Sequence, residues 1–80
     1  MNLLIVDDEY LVVEEVVTVT DWELLGITEI YSATNAVSAV RILNEKKIDI
    51  MICDIEMPQT DGLELSKKAK ENFPDLEIVM

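Results

Sequence analysis

The stretch "DIMICDIEMPQTDG" runs from Asp49 to Gly62. Ile50 to Ile55 would form a plain buried strand if Asp54 were not among them. The run is short, apolar on both faces and bounded by turn residues, which suits a strand covered on both sides. A carboxylate at its end needs a reason. Pro58 stiffens the exit from this strand, and Gly62 is expected to permit a tight turn after Asp61.

The rest of the chain supplies the setting. "LLIV", Leu3 to Val6, is a second short apolar run that ends abruptly in "DDE". "EYLVVEEVVTVT", Glu9 to Thr20, is rich in β-branched residues, which favours a strand. Yet Val12, Val16 and Val19 recur at helical spacing, as do Val13 and Val17, so a helix is predicted. "DWELLG" is expected to continue or close it, with Gly26 as the stop. "ITEIYSA", Ile27 to Ala33, alternates and predicts a strand. Asn35 can cap a helix from Ala36 to Lys46 whose stripe is Val37, Val40 and Leu43, flanked by Ala36, Ala39 and Ile42. Lys46 and Lys47 suit the negative end of that helix. Asp61 with Glu64 resembles a capping box that opens a helix through about Asn72. "LEIVM" begins a fourth strand.

The predicted order is β-α-β-α-β-α-β. Strands alternating with helices imply a parallel sheet with right-handed crossovers, the doubly wound α/β class. No repeat, low-complexity tract or linker interrupts it.

Composition narrows the function. The chain has 80 residues, 50% of them hydrophobic, enough for one small domain. Its 17 acidic and 6 basic residues give a net charge of -11. Such a surface repels nucleic-acid phosphate and anionic lipid and suits cations or basic partners. One cysteine, Cys53, cannot form an internal disulfide, so a reducing, cytoplasmic setting is expected. The apolar start is too short for a signal peptide and nothing reaches membrane-spanning length, so no membrane partner is expected.

In open parallel sheets, ligands bind beyond the carboxyl ends of the strands, where the strand order reverses. The first strand delivers Asp7, Asp8 and Glu9 to that edge, and the third delivers Asp54. If the two strands are neighbours, at least three carboxylates converge. Like charges that close repel one another and destabilise the fold unless neutralised. No His, Lys or Arg lies near either motif, so a hard divalent cation is the simplest counter-charge. Oxygen ligands with room for water favour Mg2+ over Zn2+. A carboxylate beside such an ion can act as a nucleophile toward a phosphoryl group. Blander readings stand beside these. Asp7 and Asp8 can cap the first helix, and Asp54 alone reads equally well as a turn residue. Cys53 reads as core, Met51, Met57 and Trp22 as packing, and the Glu56 side chain as solvated. An EF-hand reading of "DIEMPQTDGLEL" fails on the glycine offset and on Leu65 at the last position.

"LLIVDDE" followed by "DIMICDIEMPQTDGLEL" resembles the receiver domain of two-component response regulators, whose fold is flavodoxin-like. "DWELLG" further resembles receivers joined to AraC-type DNA-binding domains. The resemblance covers residues 1–80. It implies that Asp54 is the phosphoacceptor, that Asp8 ligates Mg2+ directly and Asp7 mainly through water, and that Glu56 offers its backbone carbonyl. Met57, Pro58 and Gly62 would shape the loop beside the site. It further implies a sensor histidine kinase as phosphodonor and DNA contact only through a separate output domain. A receiver of this kind assists its own phosphorylation and dephosphorylation and is otherwise no enzyme.

The sequence departs from the family pattern at Tyr10, where Pro is usual, and at Ala36, where Gly is common. By resemblance, a full receiver continues past Met80 with a Ser or Thr, a fifth strand carrying a Lys, and two more helices. The chain is therefore expected to be a C-terminally truncated receiver. Its fourth strand would then be an exposed edge able to pair with another chain. The rival expectation follows from that edge: an interaction or homodimerisation module without phosphotransfer. A stand-alone phosphohydrolase is disfavoured, because no acid/base group stands outside the carboxylate cluster.

Overall fold

A computed structural model describes residues 1–54, 56, 57 and 60–80; for Tyr10, Glu56, Met57, Thr60 and Asp61 the backbone alone is described. Four strands form one parallel sheet: β1 (Asn2–Val6), β2 (Glu29–Ala33), β3 (Ile50–Cys53) and β6 (Glu77–Val79). Their spatial order is β2-β1-β3-β6. The helices are α1 (Tyr10–Val19), α2 (Ala36–Glu45) and α3 (Gly62–Asn72). The doubly wound α/β reading therefore holds. A two-residue antiparallel pair that the pattern did not announce, β4 (Glu56–Met57) with β5 (Thr60–Asp61), lies between β3 and α3.

The strands are apolar on both sides because both sides are covered. Leu4 and Val6 of β1, with Met51 and Cys53 of β3, face a core closed by Ala39 and Leu43 of α2 and Leu65 and Ala69 of α3. Leu3 and Ile5 face the other way, against Val13 of α1 and Ile27, with Trp22, Ile50 and Ile52 partly buried around them. Met51 and Cys53 are both buried, as their place in the run requires.

Several expectations need correction. First, α1 does not run on through "DWELLG". It stops at Val19, and Thr20 is extended (φ -98, ψ 134). A helix of valines and threonines propagates weakly, and the Trp22 indole turns back to donate to the Val17 carbonyl at 3.1 Å. Gly26 is still a stop, but of the separate turn that follows. It sits in the left-handed region at φ 79, where glycine carries no Cβ penalty.

Second, the buried face of α2 centres on Ala39 and Leu43, with Ala36 and Ile42 partly covered. Val37 is 73% exposed and Val40 is also exposed. The small Ala39 lets the helix lie close to the sheet, and Val37 and Val40 then fall about 100° around from Ala36 and Ala39. Asn35 caps the helix as expected, its side chain accepting from the Ser38 N–H at 2.8 Å.

Third, Gly62 is not a turn residue: it is buried and is the first residue of α3. The Asp61–Glu64 capping box falls on a side chain outside the described residues, as does Met57; Pro58 is likewise outside them. Fourth, neither Asp7 nor Asp8 caps α1. The N-cap is Glu9, and its side chain makes no capping bond. Among the described strands, β6 lies at the edge of the sheet.

Candidate functional site

The order β2-β1-β3-β6 places the reversal between β1 and β3, the position where ligands bind in this architecture. These two strands pair in register, with Val6 opposite Cys53. The next residue of each is an aspartate, so the register itself brings Asp7 beside Asp54. The ladder runs one step past the strands. Asp54 N–H donates to the Val6 carbonyl at 2.9 Å, and Asp7 N–H to the Ala33 carbonyl at 3.1 Å. The backbones of both aspartates are thus fixed while their side chains reach the open rim. The apolar residues hold the strand in place, and Asp54 emerges where the strand ends.

Carboxylate oxygens of Asp7, Asp8 and Asp54 all lie within 4.8 Å of one another. None of the three residues is buried. The sequence reading of a convergent acidic site is met for all three. One feature was missed: an Asp7 oxygen already accepts from the Glu9 N–H at 2.9 Å. The signal was available, because an aspartate two residues before a helix start commonly makes this local turn bond. The bond fixes the Asp7 side chain and bends the chain from β1 into α1. Glu56 lies in β4, paired with Asp61, with its side chain outside the description.

The oxygen-only donor set fits a hard cation. Ligand oxygens around one Mg2+ sit at about 2.1 Å from it and so about 3–4 Å apart. Three carboxylate oxygens gathered within 4.8 Å need only small adjustment to share such an ion.

Beneath the rim is an apolar floor. Cys53 is buried, and its thiol donates to the Asp54 carbonyl at 3.4 Å. Burial pushes the Cys53 thiol up from its ordinary value, the Ser66 side chain opposes the shift, and the charges of Asp54 and Asp7 add to the rise. The thiol therefore stays protonated at neutral pH and is no competing nucleophile. Ser66 of α3 is buried. No helix among the described residues is long and apolar enough to cross a membrane.

Comparison with known proteins agrees with this arrangement. The family model of the response regulator receiver domain matches residues 3–80. The chain is 33% identical over 79 residues to the uncharacterized transcriptional regulatory protein YesN of Bacillus subtilis, covering 99% of this chain and 22% of that protein. Its fold matches the crystal structure of a two component transcriptional regulator AraC from Clostridium phytofermentans with a TM-score of 0.92 and 28% identity, over 98% of this chain and 63% of that one. The response regulator TrrA of Thermotoga maritima, solved in complex with Mg2+-BeF, matches with a TM-score of 0.82 and 31% identity, over 96% of this chain and 64% of that one. This chain belongs to the response regulator receiver domain family of two-component systems. It spans less than two thirds of the solved receivers and about a fifth of YesN.

Proposed function

We propose that the chain is the phosphoacceptor portion of a receiver, that Asp54 takes a phosphoryl group from a sensor histidine kinase, and that the protein it belongs to is a transcriptional regulator. The observation that carries this reading is the convergence of Asp7, Asp8 and Asp54 at the reversal point of the sheet.

An Asp54 oxygen attacks phosphorus in line with the donor imidazole nitrogen. The P–N bond breaks, its electron pair stays on that nitrogen, and an acyl phosphate forms on Asp54. The ladder bond to Val6 holds the Asp54 backbone, so the carboxylate meets the donor from a fixed base. Asp7, Asp8 and Asp54, with the Glu56 carbonyl, would hold a Mg2+ ion at this rim. When bound, Mg2+ offsets the negative charge that phosphoryl transfer brings together. Asp7, braced against the Glu9 N–H, keeps one side of that pocket in place. Water attack on the acyl phosphate later returns Asp54 to its free form. The full receiver extends beyond residue 80, its output region contacts DNA, and it works in the cytoplasm.

Loading the full-length parent with acetyl phosphate and Mg2+ tests this. Acid-labile phosphate should appear on the wild type and be lost in Asp54→Ala. Uptake that persists in Asp54→Ala overturns the assignment.

A further inference from the structure

The buried residues of α3 are Gly62, Leu65, Ser66 and Ala69, which recur at helical spacing and so share one side. Leu65 and Ala69 pack in the cluster that holds Met51 and Cys53. Ser66 departs from the apolar pattern of that side. It is 7% exposed and is the only buried polar side chain among the described residues. A hydroxyl buried there costs stability unless it meets another polar group, and an alanine would fill nearly the same space without that cost.

The polar group beside the Ser66 side chain is the Cys53 thiol. That thiol is buried and donates to the Asp54 carbonyl at 3.4 Å. A thiol has one proton to give and a sulfur that accepts weakly. With its proton spent on Asp54, the sulfur is left to accept from Ser66. On the other side, the Asp54 N–H donates to the Val6 carbonyl at 2.9 Å. Both backbone groups of Asp54 are therefore engaged, one by β1 and one by the thiol beneath it. The carboxylate leaves the chain between them. Holding the residue at both groups restricts how far that carboxylate can swing, and a nucleophile gains from being held near its line of attack.

We infer that Ser66 and Cys53 are positioning residues for Asp54: the Ser66 hydroxyl donates to the Cys53 sulfur, the thiol donates to the Asp54 carbonyl, and α3 thereby fixes the aim of the Asp54 carboxylate. Neither residue touches the reacting atoms. The kinetic consequence rests on the function proposed above; the relay itself does not.

The test uses the full-length protein with acetyl phosphate and Mg2+. Ser66→Ala should slow the initial rate of acid-labile phosphate formation about fivefold while its urea midpoint stays at or above the wild type. Cys53→Ser keeps a donor beneath Asp54, so it should hold the rate within about twofold although it lowers the midpoint by burying a more polar group. Rate and stability then move in opposite senses in the two variants, which a packing role would not produce. Cys53→Ala/Ser66→Ala should be no slower than Cys53→Ala, because the relay breaks only once. A wild-type rate in Ser66→Ala, or losses that multiply in the double variant, overturns the proposal. Hydrogen exchange at the Asp54 amide reads the relay without phosphate and should accelerate about tenfold in Ser66→Ala. Unchanged exchange overturns the relay. Failure of the receiver reading would show separately, as phosphate uptake by Asp54→Ala while exchange at Asp54 still responds to Ser66→Ala.

Discussion

Asp49 and Asp54 bracket one strand, and they do opposite things. At the amino edge of the sheet, an Asp49 oxygen accepts from the Asn2 N–H at 2.8 Å, while its backbone N–H donates to the Asn2 carbonyl at 2.9 Å and its carbonyl accepts from Glu77 at 3.0 Å. The Asn2 side chain adds a bond to the Lys47 carbonyl at 2.8 Å. Asp49 is therefore a clasp that joins β1, β3 and β6 where they begin. At the carboxyl edge, Asp54 meets two further aspartates. One end of the strand spends its carboxylate on backbone donors. The other leaves negative charge gathered at the rim, which suits a cation and a phosphoryl group better than it suits the fold. The same residue type is structural where a strand start needs an acceptor and joins an acidic cluster where two strand ends meet at the reversal point.

The contrast can be broken by exchanging the two losses. Asp54→Asn should abolish acid-labile phosphate on the full-length protein while leaving the urea midpoint equal to or above the wild type, because it relieves repulsion. A large drop in midpoint would mean that Asp54 is structural. Between the two ends, Met51→Ala should destabilise by about 2–5 kcal/mol in urea unfolding, since Met51 is wholly buried between both helices and the strand. Asp49→Ala should cost about 1–2 kcal/mol and leave phosphate loading intact, because it strands the Asn2 N–H without touching the rim. If Asp49→Ala abolished loading instead, the two edges would not be independent.

Two smaller effects sharpen the account of the rim. Mg2+ at ten times its dissociation constant should stabilise the protein by about 1.4 kcal/mol, and Asp8→Asn should remove most of that gain. A melting temperature unmoved by millimolar Mg2+ would show that the pocket is not assembled. The Cys53 thiol, raised by burial, gives a pH signature. Below its ordinary value of 9.0 the thiol is protonated in folded and unfolded chains alike, and its contribution to stability is full. Above that value the unfolded chain loses the proton first, so stability should fall as pH rises from about 9 toward the folded value. Cys53→Ala should flatten this part of the profile in thermal melts from pH 8 to 10.

Much of the architecture was legible. Doubly apolar runs at Leu3 to Val6 and Ile50 to Cys53 suit strands covered on both faces, and their abrupt ends in aspartate mark the rim. The Asn35 cap follows from side-chain chemistry alone. What was misread involved competition between elements. The valines of α1 carry helical spacing in every register, so spacing could not say that the helix yields at Val19 to let Trp22 return to the core. In α2, the choice between Val37/Val40 and Ala36/Ala39 as the inner face depends on how close the sheet lies, and the sequence does not carry that distance.

The sequence by itself determined the strands, the acidic residues at their ends and the absence of any nearby cation in the chain. Only the tertiary structure decided that β1 and β3 are neighbours in a register that sets Val6 against Cys53. That pairing turns two separated motifs, forty-seven positions apart from Asp7 to Asp54, into one site. The physical reason is that local chemistry fixes what a residue can do, whereas strand order and register, set by burial of the whole sheet, fix which residues it does it with.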